Sequence, residues 1–419
     1  MEKIKAAIIT IGDELLIGQT VDTNSAWMAK ELNTAGIWVH RRVAVGDNRE
    51  DILNALDEES ARARIILITG GLGPTADDIT KPLLCEYFNG KMVVNETALN
   101  NVKFIFEKML KRPLLDRNLK QAEVPDTCTV IQNRRGTAPG MWFEKNGNIF
   151  VSMPGVPYEM MGMMSDYVVP ELAKRFNPAP VMHRTLLTAG LGESFIAERI
   201  SDFEAALPEY IKLAYLPDFG MVRLRLTATG AMADEQVLNQ QFNTLQTLVA
   251  DALVTNEDEP LEKVIGKILQ QQKQTLCTAE SCTGGYIAHL VTAIPGSSDY
   301  FKGSIVCYAN EIKERLLGVQ TATLEQHGAV SEATVKEMAT GALRQMNTDY
   351  AIAVSGIMGP GGGTDEKPVG TVWMAIADRN GVTAQKLFFR FNRERNIRLT
   401  TMNALDMLRR VATGRLTTS

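Results

Sequence analysis

The chain has 419 residues, enough for two or three domains with their own cores, and its 45% hydrophobic and 6% aromatic content is that of an ordinary globular protein. Lysine and arginine number 44 against 49 aspartates and glutamates, a net charge of −5, so no global basic footprint argues for nucleic acid. The opening MEKIKAAIIT lacks the apolar stretch and cleavage site of a secretory leader, no apolar run is long enough for a membrane span, and five cysteines without paired spacing suit a reducing compartment; the expectation is a cytoplasmic protein.

Taken in order, Ile4–Thr10 is an apolar strand, followed by an acidic loop, Gly12-Asp13-Glu14, and by Asp22 or Thr23 as the cap of a helix over Ser25–Leu32 that stops at Gly36. Trp38–Val45 reads as a strand, Glu50–Ala63 as a helix and Arg64–Thr69 (RIILIT) as a second buried strand, an alternation that predicts a doubly wound α/β domain. That strand runs into Gly70-Gly71-Leu72-Gly73-Pro74-Thr75-Ala76-Asp77-Asp78-Ile79-Thr80, whose glycines let the backbone approach an oxyanion that the following amides can hold. Asp77 and Asp78 are either partners of the helix dipole or holders of a divalent metal against phosphate oxygens, and with Glu14 they place carboxylates at two strand ends. Helices over Glu96–Lys111 and Arg117–Ala122 come next, then a turn into a strand over Gly136–Phe143 and a strand at Ile149–Met153. The last of these ends in Pro154-Gly155-Val156-Pro157, a tight turn before the Met-rich helix Met160–Met164, which reads as core packing.

The run FNPAPV at Phe176–Val181 and the acidic NEDEP at Asn256–Pro260 break the pattern, dividing the chain into 1–175, 176–257 and 258–419. The middle segment reads as a small α+β module: strand His183–Ala189, helix Glu193–Leu207, strands Ile211–Leu216 and Val222–Thr229, helix Ala233–Leu248. Arg223 and Arg225 alternate with Val222, Leu224 and Leu226, giving a solvated sheet face or a nucleic-acid contact.

In the last segment, a strand at Thr275–Thr278 leads into Glu280-Ser281-Cys282-Thr283-Gly284-Gly285, a strand-to-helix turn before a helix from Tyr286. On such a turn Ser281 lies beside unpaired amides that favour negative charge, as a nucleophile or a phosphate pocket requires; alternatively it caps the helix. Cys282 reads as a small buried hydrophobe rather than a zinc ligand. Gly303–Tyr308 is another strand and Asn310–Lys313 opens a helix, so Tyr308 and Lys313 project from the same end of a parallel sheet, where ligands bind. Serine, tyrosine and lysine form a hydrolytic set without histidine, in which a desolvated lysine or a lysine-polarised phenol takes the serine proton. A helix over Ser331–Gln345 precedes the strand Tyr350–Val354, which ends in a second glycine-rich turn, Ser355–Gly363, containing Gly356 and Gly359. Strands Val369–Ala377 and Gln385–Phe391 follow, then Arg393, Arg395 and Arg398, one of them fit for a phosphate. A nucleophile, a base and amide donors at one sheet end suit acyl-type hydrolysis.

Long motifs carry a resemblance across essentially the whole chain: GDELLIGQTVDTNS, TGGLGPTADDIT, GTAPG and MPGVPYEM, then AESCTGG, FKGSIVCYANEIKERLLGV and SGIMGPGGGTDEKPVGTVW. The chain resembles the CinA family (competence/damage-inducible protein A). The resemblance implies a molybdopterin-binding-like (MoaB/MoeA-like) three-layer α/β domain associated with metal-dependent ADP-ribose pyrophosphatase activity, a small α+β KH-like domain, and an α/β nicotinamide mononucleotide deamidase (PncC) domain. It implies Ser281 as nucleophile, Tyr308 and Lys313 as its activating pair, and Arg395 for the substrate, with Arg393 and Arg398 as neighbouring alternatives. Gly284, Gly285, Gly356 and Gly359 would line that site. In the first domain it implies Gly70, Gly71, Gly73, Thr75, Asn24 and Gly155 around the nucleotide and Asp77, Asp78 and Glu14 around a divalent ion (magnesium, manganese or cobalt), with no cofactor in the last domain. Met358 stands where the family often has a small residue. The partners it implies are the two nucleotides, nicotinamide mononucleotide and ADP-ribose, and a second copy of the chain in a homodimer, with no membrane. Two other readings stand beside this one: a molybdopterin-handling enzyme or binding module, and a non-enzymatic partner in DNA uptake or repair.

Overall fold

The computed structural model describes residues 4–75, 78–179, 181–230 and 232–418. The chain divides into two compact units, one of residues 1–182 with 228–233 and one of 183–227 with 234–419.

In the first unit the strands are β1 (Lys5–Ile11), β2 (Trp38–Val45), β3 (Ile65–Thr69), β4 (Met92–Val94), β5 (Glu123–Pro125), β6 (Thr129–Ile131), β7 (Gly140–Lys145) and β8 (Asn148–Met153). Six of them form one sheet in the order β2-β1-β3-β8-β7-β6, while β4 and β5 pair separately. β1 lies parallel to β2 and β3, β3 is parallel to β8, and β7 and β6 close the far edge antiparallel. Central parallel strands are covered on both faces, which is why KAAIITI and IILIT are nearly continuous apolar runs. On one face Met28, Leu32, Met160, Met163 and Met164 pack against Ile8, Leu67 and Val151. On the other, Ile52, Leu56 and Leu84 pack against Ile9, Ile66, Ile68 and Phe150, completing three layers. The methionines of the helix Pro157–Met163 and its continuation are thus core, as their pattern predicts. The helix expected over 96–111 turns π-helical at Phe104, and the short strands β4, β5 and β6 have too few residues to show an alternating pattern.

In the second unit a sheet of order β10-β11-β9-β12 joins β9 (Met182–Ala189), β10 (Ile211–Asp218), β11 (Met221–Ala228) and β12 (Leu253–Thr255). The helix expected over 193–207 is broken into Glu193–Arg199 and Ser201–Ala205 at Ile200, which is buried in the core; packing there overrides a continuous helical pattern. Arg223 pairs with Asp258 at 3.3 Å, so the outer face of β11 is ion-paired at that position.

The remaining strands are β13 (Leu276–Glu280), β14 (Phe301–Val306), β15 (Tyr350–Gly356), β16 (Thr371–Asp378) and β17 (Gly381–Phe388), in the order β14-β13-β15-β16-β17. β14, β13 and β15 are parallel; β16 and β17 run antiparallel. Leu261, Ile265, Ile287, Val291, Leu405 and Leu408 cover one face and Leu317, Val335, Met338 and Ala342 the other. β17 begins at Gly381 and ends at Phe388, not Gln385 to Phe391 as expected. It is the second arm of a tight hairpin in which the Asp378 carboxylate accepts the Asn380 and Gly381 amides at 2.8 and 3.1 Å. Among the described residues no helix is long and apolar enough to cross a membrane.

Candidate functional site

The parallel strands β14, β13 and β15 deliver their C-terminal ends side by side, about 4.8 Å from neighbour to neighbour. Ser281 follows β13 and is tied to the neighbouring strand end by its amide, which donates to the Val354 carbonyl at 3.1 Å. The Cys307 amide donates to the Glu280 carbonyl at 2.9 Å, so Cys307 and Tyr308 lie next to the serine turn on its other side. Lys313, on the helix Asn310–Leu317, is only 1% exposed, and its Nζ donates to the Cys307 and Tyr308 carbonyls at 2.8 and 3.1 Å. Burial pushes this ammonium below the ordinary lysine range, with the nearby Cys307 and Cys282 thiols opposing the shift. An ammonium has three donors and two are used here.

Two sequence expectations about the serine turn are corrected. The amides at the start of the helix Tyr286–Thr292 are occupied by Glu280, a wholly buried carboxylate and the last residue of β13. Its oxygens accept the Gly285, Ile287 and Ala288 amides at 3.0, 3.0 and 2.9 Å, the Thr283 and Thr278 hydroxyls at 2.7 and 3.2 Å, and the Ser304 hydroxyl at 3.4 Å. Those amides therefore form no open anion cradle. Nor does Ser281 cap the helix, whose N-cap position is Gly285. Glu280 went unrecognised because a glutamate at a strand end looks like turn chemistry; only the fold shows it surrounded by donors.

Tyr308 is 63% exposed, and its hydroxyl accepts a hydrogen bond from Arg393 at 3.1 Å. Lys313 reaches the backbone carbonyl of Tyr308, and neither Lys313 nor Ser281 bonds its phenol. Arg393 also donates to the Gly359 carbonyl at 2.9 Å, which fixes its guanidinium between the ends of β14 and β15. Arg395 instead lies over the Phe391 ring at 4.1 Å, and Arg398 pairs with Glu394 at 3.1 Å. Of the three arginines, geometry places Arg393 at the strand ends. Asn396, wholly buried on the helix Arg393–Ala412 that also carries these arginines, donates to the Met358 and Phe391 carbonyls at 3.1 and 3.0 Å and holds the Gly356–Gly359 turn, in which Met358 is buried.

A second cleft, about 370 Å³, opens at the ends of β1, β3 and β8 and is lined by Gly70, Gly71, Gly73, Gly155, Glu14 and Asp78, with Asp47 and Glu159 beside them. An adjoining lobe of about 120 Å³ adds Asn24. Gly70 has φ +112°, and a Cβ there would lie 2.2 Å from the Ile11 carbonyl, so only glycine fits this close approach of two strand ends. Asn24 bridges strand ends, its Nδ2 donating to the Gly155 carbonyl at 2.7 Å and to the Thr69 hydroxyl at 3.3 Å. Asp77 lies outside the described residues. Asp78 accepts the Gly73 and Thr75 amides at 2.8 and 2.9 Å together with the Thr75 hydroxyl, so it folds the glycine loop. Asp13 and Asp47 exchange amide-to-carboxylate bonds, each at 3.1 Å. Among the described residues no group of three His, Cys, Asp or Glu side chains is poised to hold a metal, and the Glu14 carboxylate receives no hydrogen bond. Glu159 and Asp47 were not singled out from sequence. The first lies inside a turn motif and the second in an ordinary polar loop.

Fold and strand-end sites together define a modular α/β protein in which a molybdopterin-binding-like domain and a second α/β domain are joined through a KH-like module. Residues 7–174 match the family described as "Probable molybdopterin binding domain", 183–254 the "Damage-inducible protein CinA KH domain", and 258–412 the "CinA C-terminal domain". The chain belongs to the CinA family. It is 46% identical to a CinA-like protein of Flavobacterium psychrophilum, over 97% of this chain and 98% of that one. It is 45% identical to a CinA-like protein of Cytophaga hutchinsonii, with the same shares covered, 97% and 98%. The crystal structure of competence/damage inducible protein CihA from Agrobacterium tumefaciens aligns with 43% identity over 35% of this chain and 91% of that one, at a TM-score of 0.35. Family membership is consistent with a hydrolase.

Proposed function

We propose that the chain is a bifunctional pyridine-nucleotide recycling enzyme of the cytoplasm, acting as a homodimer. Its last domain hydrolyses nicotinamide mononucleotide to nicotinic acid mononucleotide and ammonia, and its first hydrolyses ADP-ribose to AMP and ribose 5-phosphate. The observation that carries the deamidase half is the buried Lys313 ammonium beside the Ser281 turn, with one donor position unused. Ser281 Oγ attacks the carboxamide carbon while the neutral Lys313 amine takes its proton, and Lys313 passes that proton to the nitrogen as the C–N bond breaks and ammonia leaves. Water then gives a proton to Lys313 as it adds to the serine ester, whose bond to Oγ breaks with that proton returned to Oγ, freeing the acid. The oxyanion falls to the turn amides that Glu280 does not engage, those of Cys282 and Thr283, and to the Lys313 N–H. Tyr308 acts at the rim, by orienting Arg393. Incubating the full chain with nicotinamide mononucleotide and measuring ammonia tests this half: a protein that releases none sinks it.

Arg393 suits the 5′-phosphate, since a guanidinium held by Gly359 and Tyr308 loses little freedom on binding. Arg393→Ala is expected to raise KM for nicotinamide mononucleotide by roughly 10- to 100-fold, matching the loss of a charge-assisted bond worth about 1.5–3 kcal/mol, with a smaller effect on kcat. Arg395→Ala, which removes a side chain stacked on Phe391, should leave KM within about threefold by the same reasoning. The reverse ranking in steady-state assays assigns the phosphate to Arg395.

For the first domain, Glu14 would hold the divalent ion, which when bound neutralises charge on the diphosphate. The glycine loop, held in shape by Asp78, binds the phosphates through its backbone. Chelation with EDTA is expected to abolish AMP release from ADP-ribose while leaving ammonia release untouched. Persistent AMP release would count against a metal-dependent site. The match to a molybdopterin-binding family keeps a pterin-handling reading open; a pterin co-purifying with the protein would favour it. DNA binding gains no support from the KH-like module, where the joint between its first two helices is the single buried residue Ile200 and the sequence over 183–254 holds no Gly-x-x-Gly run to clamp a nucleic-acid backbone.

A further inference from the structure

Among the described residues four carboxylates line the cleft at the ends of β3 and β8. Asp78 is held by the loop it folds, Asp47 is tied to Asp13, and Glu14 stands at the mouth. Glu159 differs from these three. It sits in the first turn of the helix Pro157–Met163, half-buried, with one oxygen anchored: Asn133 Nδ2 donates to Oε2 at 2.6 Å. Asn133 is 3% exposed and is itself fixed, donating to the Ala138 carbonyl at 2.9 Å and accepting the Arg135 amide at 3.0 Å through Oδ1. Asn101 braces the same turn by donating to the Asn133 and Gly136 carbonyls at 2.9 and 3.0 Å. Among the described residues the bond from Asn133 is the one the Glu159 carboxylate receives, so Oε1 is unengaged. The glutamate is seated on Gly136, where an added Cβ would lie 2.1 Å from its carboxyl carbon and 2.3 and 2.4 Å from the two oxygens. The glycine of the GTAPG motif therefore has a physical reason: any side chain there displaces Glu159.

We propose that Glu159 is the general base of the first domain's hydrolytic site, receiving through Oε1 a proton from the water that attacks a phosphorus of a nucleotide diphosphate ester lying on the Gly70–Gly73 loop. The assignment rests on the diphosphate-hydrolase reading above. Water's O–H bond breaks toward Glu159 as its oxygen forms a bond to phosphorus. The bond from that phosphorus to the bridging oxygen breaks, and its electron pair departs on that oxygen as a phosphomonoester. Glu159 then returns the proton to solvent, so the sum is one water added across one P–O–P linkage. Partial burial raises the Glu159 pKa above the usual carboxylate range, against the opposing bond from Asn133, and so strengthens it as a base.

The test measures AMP release from ADP-ribose with saturating Mn²⁺ for the full chain, Glu159→Gln and Gly136→Ala, with calorimetric melting as the fold control. Glu159→Gln is expected to lower kcat by about 10²–10⁴-fold with KM changed less than about threefold. Gly136→Ala, which keeps every polar group and moves only the carboxylate, is expected to lower kcat in the same direction. If Glu159→Gln proves unable to fold, the Gly136→Ala result decides. A kcat within about threefold of the parent in the folded variants, or a raised KM at unchanged kcat, overturns the base assignment. A parent protein that hydrolyses neither ADP-ribose nor other nucleotide diphosphate esters overturns the reading beneath it, whatever the variants do.

Discussion

Ammonia release from nicotinamide mononucleotide is expected to fall by about 10⁴-fold or more in Ser281→Ala, with the protein as stable as its parent. Ser281 is small, lies on a turn held by its backbone, and caps no helix, so removing its oxygen deletes a nucleophile and little else. Loss of the nucleophile from such a set is severe because the residual rate comes only from binding and the oxyanion donors. The pH profile gives an independent reading. Lys313 must be neutral to accept the serine proton, so kcat/KM rises with pH through its pKa. Because burial lowers that pKa, the rise falls below the ordinary lysine value near 10.4. Lys313→Arg keeps a cation that does not deprotonate, and should be as inactive as Ser281→Ala. A Ser281→Ala protein that still releases ammonia at more than about a tenth of the parent rate removes the serine from the chemistry.

Glu280→Ala is expected to destabilise the last domain by about 3 kcal/mol, the upper scale for leaving buried donors without their acceptor. The substitution leaves three amides and the Thr278, Thr283 and Ser304 hydroxyls without their shared acceptor. The damage should be local first. Amide hydrogen exchange of Gly285, Ile287 and Ala288 should accelerate before that of β15 does, since the turn opens without unfolding the sheet. Glu280→Gln restores some of these bonds through its amide oxygen, and should lose less stability than alanine. Uniform exchange across the domain in Glu280→Ala, or stability within about 0.5 kcal/mol of the parent, would contradict a carboxylate that organises the turn.

The framework was readable from residue order alone where strands are buried on both faces. IILIT and Tyr350–Val354 read as buried strands, as they are, and glycine-rich runs follow both. β17 starts at Gly381 rather than Gln385 because the two-residue turn Arg379-Asn380 pairs Asp378 with Gly381 and the Asp378 carboxylate holds that turn, features that the hydrophobic pattern of the strand does not carry. Short strands such as β4 and β5, three residues each, carry no readable period, so only their pairing reveals them.

What the amino-acid order determined by itself was the inventory: a serine turn, a lysine after a neighbouring strand, two glycine-rich loops and the linkers between modules, each a local feature carried by a few adjacent residues. Which donors meet which acceptors was decided only by the tertiary structure, because those partners lie far apart in the chain. Tyr308 and Arg393 meet across the ends of β14 and β15, Asn133 reaches Glu159 from another turn, and Ser304 completes the shell around Glu280. Charge and hydrogen-bonding capacity can be read at each position, but whether a carboxylate is consumed by its own loop, as Asp78 is, or left with an open oxygen, as Glu159 is, depends on contacts that exist only once the strands have aligned their ends.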